Sequence, residues 1–111
     1  MYEVIVIDDS PLMQKILSDI INRLDDYHVI DVASDAYEAR ELIKKHEPDL
    51  VTIDINMPKM DGVTFLKNLM RLHPMPAVVV STDVSQHHQV FDDGAVGFIK
   101  KKDIGETDDI F

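Results

Sequence analysis

Val4-Ile5-Val6-Ile7-Asp8-Asp9-Ser10-Pro11 is an apolar run that ends abruptly in two carboxylates and then in a helix start. Consecutive β-branched residues describe a strand covered on both faces, as in a parallel sheet, rather than the alternation of a half-exposed strand. The same pattern returns at Leu50-Val51-Thr52-Ile53-Asp54. Sites in open parallel sheets lie beyond the carboxyl ends of the strands, so the two runs bring Asp8, Asp9 and Asp54 to one edge. Carboxylates crowded together repel one another unless a cation joins them, and an all-oxygen set of this kind suits a divalent metal.

Outward from these runs the chain alternates strand-like and helix-like segments. Residues 3–8 read as a strand, and Ser10 caps a helix with Pro11 at its first position. Leu12, Ile16, Leu17, Ile20, Ile21 and Leu24 carry helical spacing, which predicts a helix over 11–24. Residues 28–33 form a second strand. Ser34 or Asp35 then caps a helix over 36–46, with Ala39, Leu42 and Ile43 inward and Pro48 ending it. The third strand is 49–54. Residues 55–62 hold Pro58 and Asp61-Gly62 too close together for regular structure and read as a loop. A helix over 63–72, with Val63, Leu66, Leu69 and Met70 as its core face, stops before Pro74 and Pro76. Residues 77–81 are a strand, 85–92 a short helix and 95–100 a last strand. Repeated βα units with short loops imply one α/β domain, a doubly wound five-stranded parallel sheet with helices on both faces. Ser81 joins the acidic residues at the carboxyl edge.

Composition narrows the function. The chain has 111 residues, 45% of them hydrophobic, enough for one core. A net charge of -10 argues against nucleic acid or an anionic membrane as a direct partner. Cysteine is absent, which removes disulfide and thiol chemistry and fits the cytoplasm. No apolar stretch reaches the length of a membrane span, and Met1-Tyr2-Glu3 does not open a signal peptide, so the chain reads as soluble and intracellular.

Val6-Ile7-Asp8-Asp9-Ser10, Asp54, Met57-Pro58-Lys59-Met60-Asp61-Gly62, Ser81, and Gly94-Ala95 before a strand ending in lysines follow one another on the expected elements. Together they resemble the receiver domain of two-component response regulators along nearly the whole chain. Within that family, Leu69-Met70-Arg71-Leu72-His73-Pro74-Met75-Pro76 looks like the N-terminal receiver of chemotaxis protein-glutamate methylesterase. The resemblance implies a flavodoxin-like sheet of strand order 2-1-3-4-5. Residues 1–111 then form one receiver domain, either complete or the N-terminal fragment of a longer regulator. It implies a phosphorylation-dependent switch rather than an enzyme with its own substrate. Asp54 would accept a phosphoryl group from a histidine kinase. Asp8, Asp9, Asp54 and the backbone carbonyl of Asn56 would hold Mg²⁺ or Mn²⁺. Ser81 and Lys101 would bind the phosphoryl, with Phe98 moving alongside Ser81, and the signal would pass to an output domain or partner protein, as in chemotaxis.

The chain departs from the family pattern in several places. Receivers usually follow the lysine with proline in a cis peptide, but Lys102 stands here. A non-proline cis bond costs about 2.5–4 kcal/mol, so a trans or strained peptide is expected. Lys100, Lys101 and Lys102 therefore compete for the one role. Thr82 sits where a small residue often keeps the site open, which predicts slower access. The segment between Thr82 and Gly94 is short, so the fourth helix should be stunted. Only residues 102–111 follow Lys101, so the fifth helix should be reduced or missing. Apolar residues of 77–80 and 96–99 would then face water, unless 103–111 dock as a short helix or turn or a second copy covers them in a homodimer.

Plainer readings stand beside these. Asp8-Asp9 could cap a helix, although Asp54 at a second strand tip exceeds that role. Ser81 alone is an ordinary strand-end hydroxyl, and the lysine run an ordinary solvated edge. His87 and His88 point about 100° apart on a helix and read as surface rather than as a metal pair. The chain has no G-x-S-x-G elbow, so methylesterase chemistry would lie outside it. A metal-dependent phosphatase on the same fold needs a general acid beside Asp54, and Ile55 and Asn56 supply none.

Overall fold

The computed structural model describes residues 1–104. β1 (Tyr2–Ile7), β2 (Tyr27–Ala33), β3 (Leu50–Asp54), β4 (Ala77–Ser81) and β5 (Gly97–Lys100) form one parallel sheet of order β2-β1-β3-β4-β5. The connections are α1 (Pro11–Asn22), α2 (Ala36–His46), α3 (Gly62–Leu72), and a 3-10 turn, Val84–Gln86, that leads into the short α4 (His87–Asp92). This is the flavodoxin-like architecture expected, including the stunted fourth helix.

Each long helix starts on a polar cap that accepts from its own first turn. Ser10 Oγ accepts from the Met13 N–H at 3.2 Å, Asp35 from Glu38 at 2.8 Å and Asp61 from Thr64 at 2.9 Å. Such caps are worth about 1 kcal/mol each, and here they also fix where the chain leaves each strand tip.

Alternation along the strands divides the core. Ile5, Ile7, Ile53 and Val79 join Ala39, Ile43, Leu66, Leu69 and Val90 in one cluster, while Val6 and Val80 join Leu17 in the other. Neighbours along a strand thus feed opposite layers, as the period of two requires. The inner strands are buried on both faces, which is why their sequences are unbroken apolar runs.

Boundaries moved where local signals were weak. β1 ends at Ile7 and leaves Asp8 just past the strand, and β5 begins at Gly97 rather than Ala95. α1 stops at Asn22, so Leu24 is 51% exposed, and Leu12 on the outward side of the first turn is 68% exposed. Neither joins the core face expected of it, because the apolar stripe of α1 is wider than its contact with the sheet. All peptide bonds among the described residues are trans, including the one joining Lys101 to Lys102.

Residues 101–104 are helical, and Ile104 packs on Val6, Leu17 and Val80. The expectation that 103–111 dock falls, beyond Ile104, outside the described residues. The face expected to be bare is only partly so. Val96 and Ile99 are 63% and 41% exposed; on the α1 side Val80 is buried and Val78 half-buried, while Ala77 and Val79 belong to the opposite layer. An apolar groove of about 300 Å³ lies there between α1 and the sheet. No helix among the described residues is long and apolar enough to cross a membrane.

Candidate functional site

Register brings the acidic residues together. Ile7 pairs with Ile53, so Asp8 and Asp54 follow side by side on adjacent strands, and Asp54 itself pairs with Val80, one residue before Ser81. Carboxylate oxygens of Asp8, Asp9 and Asp54 all lie within 4.8 Å of one another. Asp8 and Asp54 are buried and Asp9 is exposed, so the cluster has two inner ligands and one at its mouth. It is the one such group of potential metal-binding side chains among the described residues. His87 and His88 do not join one; the His87 ring packs edge-on against Phe91 and Phe98 instead.

Lys101, the residue after β5, closes the cluster. Its Nζ stands 3.0 Å from Asp8 Oδ2 and 3.3 Å from Asp54 Oδ2, with the lysine side chain only 14% exposed. Lys100 and Lys102 are exposed. The outer oxygens are held by backbone: Asp8 Oδ1 accepts from the Ser10 N–H at 2.9 Å and Asp54 Oδ1 from the Asn56 N–H at 3.2 Å. Asp8 Oδ2 is buried, and the Lys101 ammonium at 3.0 Å is the group that meets it.

The electrostatics follow from that crowding. Burial and the neighbouring Asp8 carboxylate push Asp54 up to about 6, against a smaller downward pull from Lys101. Burial pulls Lys101 down, but its pairing with Asp8 and Asp54 outweighs this and leaves it raised. One ammonium thus leaves the cluster short of positive charge. Two buried carboxylates sharing one ammonium, an exposed third carboxylate and an acid pushed toward neutrality form an oxygen set that fits a divalent cation.

Ser81 is fully buried, and its hydroxyl accepts from the Asp83 N–H at 3.0 Å rather than bonding the carboxylates. Asn56 is exposed just past Asp54. Phe98 is half-buried with its ring 5.2 Å from that of His87. Thr82 is exposed at the rim.

Gln14 escaped the sequence reading, and Gly62 stood in it only as part of a motif. Gln14 on α1 donates its amide to the Asp8 carbonyl at 2.6 Å and to Ser34 Oγ at 3.2 Å, tying the first strand tip to the second. Gly62 passes so close behind Asp54 that a Cβ there would lie 2.3 Å from the Asp54 carbonyl oxygen. The Met57–Gly62 segment carried the signal for the second. A glutamine in a helix carried none, because its partners are distant in sequence.

The sequence profile described as the response regulator receiver domain matches residues 4–108. The chain is 48% identical to a protein-glutamate methylesterase/protein-glutamine glutaminase of Vibrio vulnificus over 97% of its own length and 32% of that protein's. It is 50% identical to one from Hahella chejuensis over 93% of its length and 30% of that protein's. It therefore spans about a third of these curated relatives. Among solved structures, the response regulator domain of Thermotoga maritima CheB superimposes with a TM-score of 0.86 at 35% identity, covering 91% of this chain and 78% of that one. The Borrelia burgdorferi CheX-CheY-BeF3-Mg+2 complex matches with a TM-score of 0.82 at 34% identity, over 89% of this chain and 77% of that one. The chain belongs to the response regulator receiver domain family, and its likeness is to the receivers of the protein-glutamate methylesterases.

Proposed function

We propose that the chain is a phosphorylation-controlled switch with Asp54 as its phosphoacceptor. The observation that carries this is the buried Asp8–Asp54–Lys101 cluster with Asp9 at its mouth. An Asp54 oxygen attacks the phosphorus of a phosphohistidine on a histidine kinase. The phosphorus–nitrogen bond breaks, its electron pair stays on the imidazole, and an acyl phosphate forms on Asp54. Asp8, Asp9, Asp54 and the Asn56 carbonyl would hold a Mg²⁺ or Mn²⁺, which would supply charge neutralisation and alignment to that transfer.

The chain's own residues perform the response. Lys101 turns from its two carboxylates to the new anion, and the Ser81 hydroxyl leaves Asp83 for a phosphoryl oxygen. Phe98 and the α4–β5 surface follow, changing what an output domain or downstream protein meets. The same reading puts the protein in the cytoplasm and in chemotaxis signalling. A second reading, favoured by the methylesterase relatives, makes this domain the regulatory part of such an enzyme. Sequencing the reading frame beyond Phe111 decides it.

The test is incubation with a small phosphodonor and Mg²⁺, with a generic phosphate ester in a parallel reaction. One phosphoryl group per chain and no ester turnover support the switch. Multiple turnover of the ester makes it a metal-dependent hydrolase.

A further inference from the structure

α2 and α3 hold a charge pattern that the carboxylate cluster does not use. In a chain of net charge -10, these two helices carry Arg40, Lys44, Lys45, Lys67 and Arg71 against only Glu38 and Glu41. None of the five cations takes part in an ion pair among the described residues, whereas Lys15, Lys59 and Lys101 all do. Between the helices lies a groove of about 300 Å³ with an apolar floor of Ile43, Phe65 and Leu69 and with Arg40 and Lys44 on its rim. Leu72 stands at its end, 69% exposed. Both helices run against the strands, so their last turns, which carry Lys44 and Leu72, lie at the sheet edge opposite Asp54.

We infer that the α2–α3 groove docks an acidic amphipathic helix of a partner protein, apart from the phosphoacceptor site. A helix laid between two others inserts apolar residues at i, i+3 or i+4, and i+7. The floor supplies apolar contact, and the unpaired cations select acidic flanks, as charge complementarity at an interface rim does. Nucleic acid fits less well. The groove floor is aliphatic with a buried ring, and the rest of the surface repels a polyanion.

The test uses the whole 111-residue chain. A fluorescent helical peptide with leucines at i, i+3 or i+4, and i+7 and glutamates elsewhere is titrated by anisotropy and amide chemical shifts. Saturable binding with shifts on α2 and α3 is expected, falling about tenfold in Arg40→Glu/Lys44→Glu and in Leu72→Ser and weakening with salt. All three substituted side chains are exposed, so these variants keep the fold. The inference is overturned by absence of saturable binding, by equal binding of the peptide with lysine in place of glutamate, or by shifts elsewhere. Tighter binding of a single-stranded oligonucleotide also overturns it. So does self-association lost in Arg40→Glu/Lys44→Glu, which puts a second copy in the groove.

Discussion

The Lys101 ammonium stands 3.3 Å from Asp54 Oδ2, its side chain 14% exposed and that of Asp54 only 3%. Two groups so placed cannot be altered independently. Removing the lysine leaves Asp54 and Asp8 facing each other without a counterion, so Lys101→Ala raises the Asp54 pKa further and destabilises the metal-free domain by about 1–3 kcal/mol at neutral pH. Chemical denaturation measures this. In phosphorylation assays the variant still takes the label but loses most of the conformational response. The same phenotype in Lys100→Ala or Lys102→Ala would move the role to that residue.

Stability should rise as pH falls from about 7 to about 4. Asp54 is pushed up to about 6 by burial and Asp8 from an ordinary 3.8. Between those values the folded state holds a proton that the unfolded state has lost, so folding strengthens on acidification, by up to about 3 kcal/mol from this group. Below that window Asp35, Asp61 and Asp83 act in the opposite sense. Hydrogen bonds to their carboxylates, chiefly from Glu38, Thr64 and Ser85 respectively, hold them below the usual range, and what they contribute is lost as they protonate. Asp54→Asn should flatten the upper window. Thermal melts across pH, with both proteins metal-free, measure the difference.

Mg²⁺ should raise the melting temperature more at pH 7 than at pH 5, because binding needs Asp54 ionised. Asp9→Ala should weaken that Mg²⁺ effect strongly while making the metal-free domain no less stable, since it removes one of three crowded carboxylates. A melting temperature in Asp9→Ala that responds to Mg²⁺ as in the wild type would remove Asp9 from the metal set.

Gly62→Ala should cost more than its size suggests. The added Cβ would meet the Asp54 carbonyl oxygen at 2.3 Å and the Ile55 Cα at 2.6 Å, both backbone atoms that cannot turn aside. A loss of about 1–3 kcal/mol is expected, with lower metal affinity because the displaced backbone carries the Asp54 side chain. Urea denaturation and a Mg²⁺ titration read the two effects.

What could be read in the sequence follows the range of each signal. β4 and α2 fall at their expected residues because their limits are local: a run between Pro76 and the exposed Thr82, and a cap at Asp35 with a stop before Pro48. Asp8, Asp9 and Asp54 are legible because each closes an apolar run, and they meet because strand tips in a parallel sheet share an edge; Lys101 follows only from family likeness, with Lys100 and Lys102 as competitors. Leu12 and Leu24 misled, since helical spacing marks a stripe but not how much of it the sheet covers. The burial of Phe65, outside the expected stripe of α3, has the same cause. Gln14 could not be seen, because its bonds to Asp8 and Ser34 depend on where two separate strands end. The strand order came from family likeness, not from the residues.

Intact-mass measurement with site mapping, on wild type and Asp54→Asn treated with a small phosphodonor with and without Mg²⁺, tests the central claim most directly. The account predicts one phosphoryl group on wild-type Asp54, dependent on the metal and absent from a normally folded Asp54→Asn. Full labelling of Asp54→Asn, or labelling of the wild type at another residue, would contradict it.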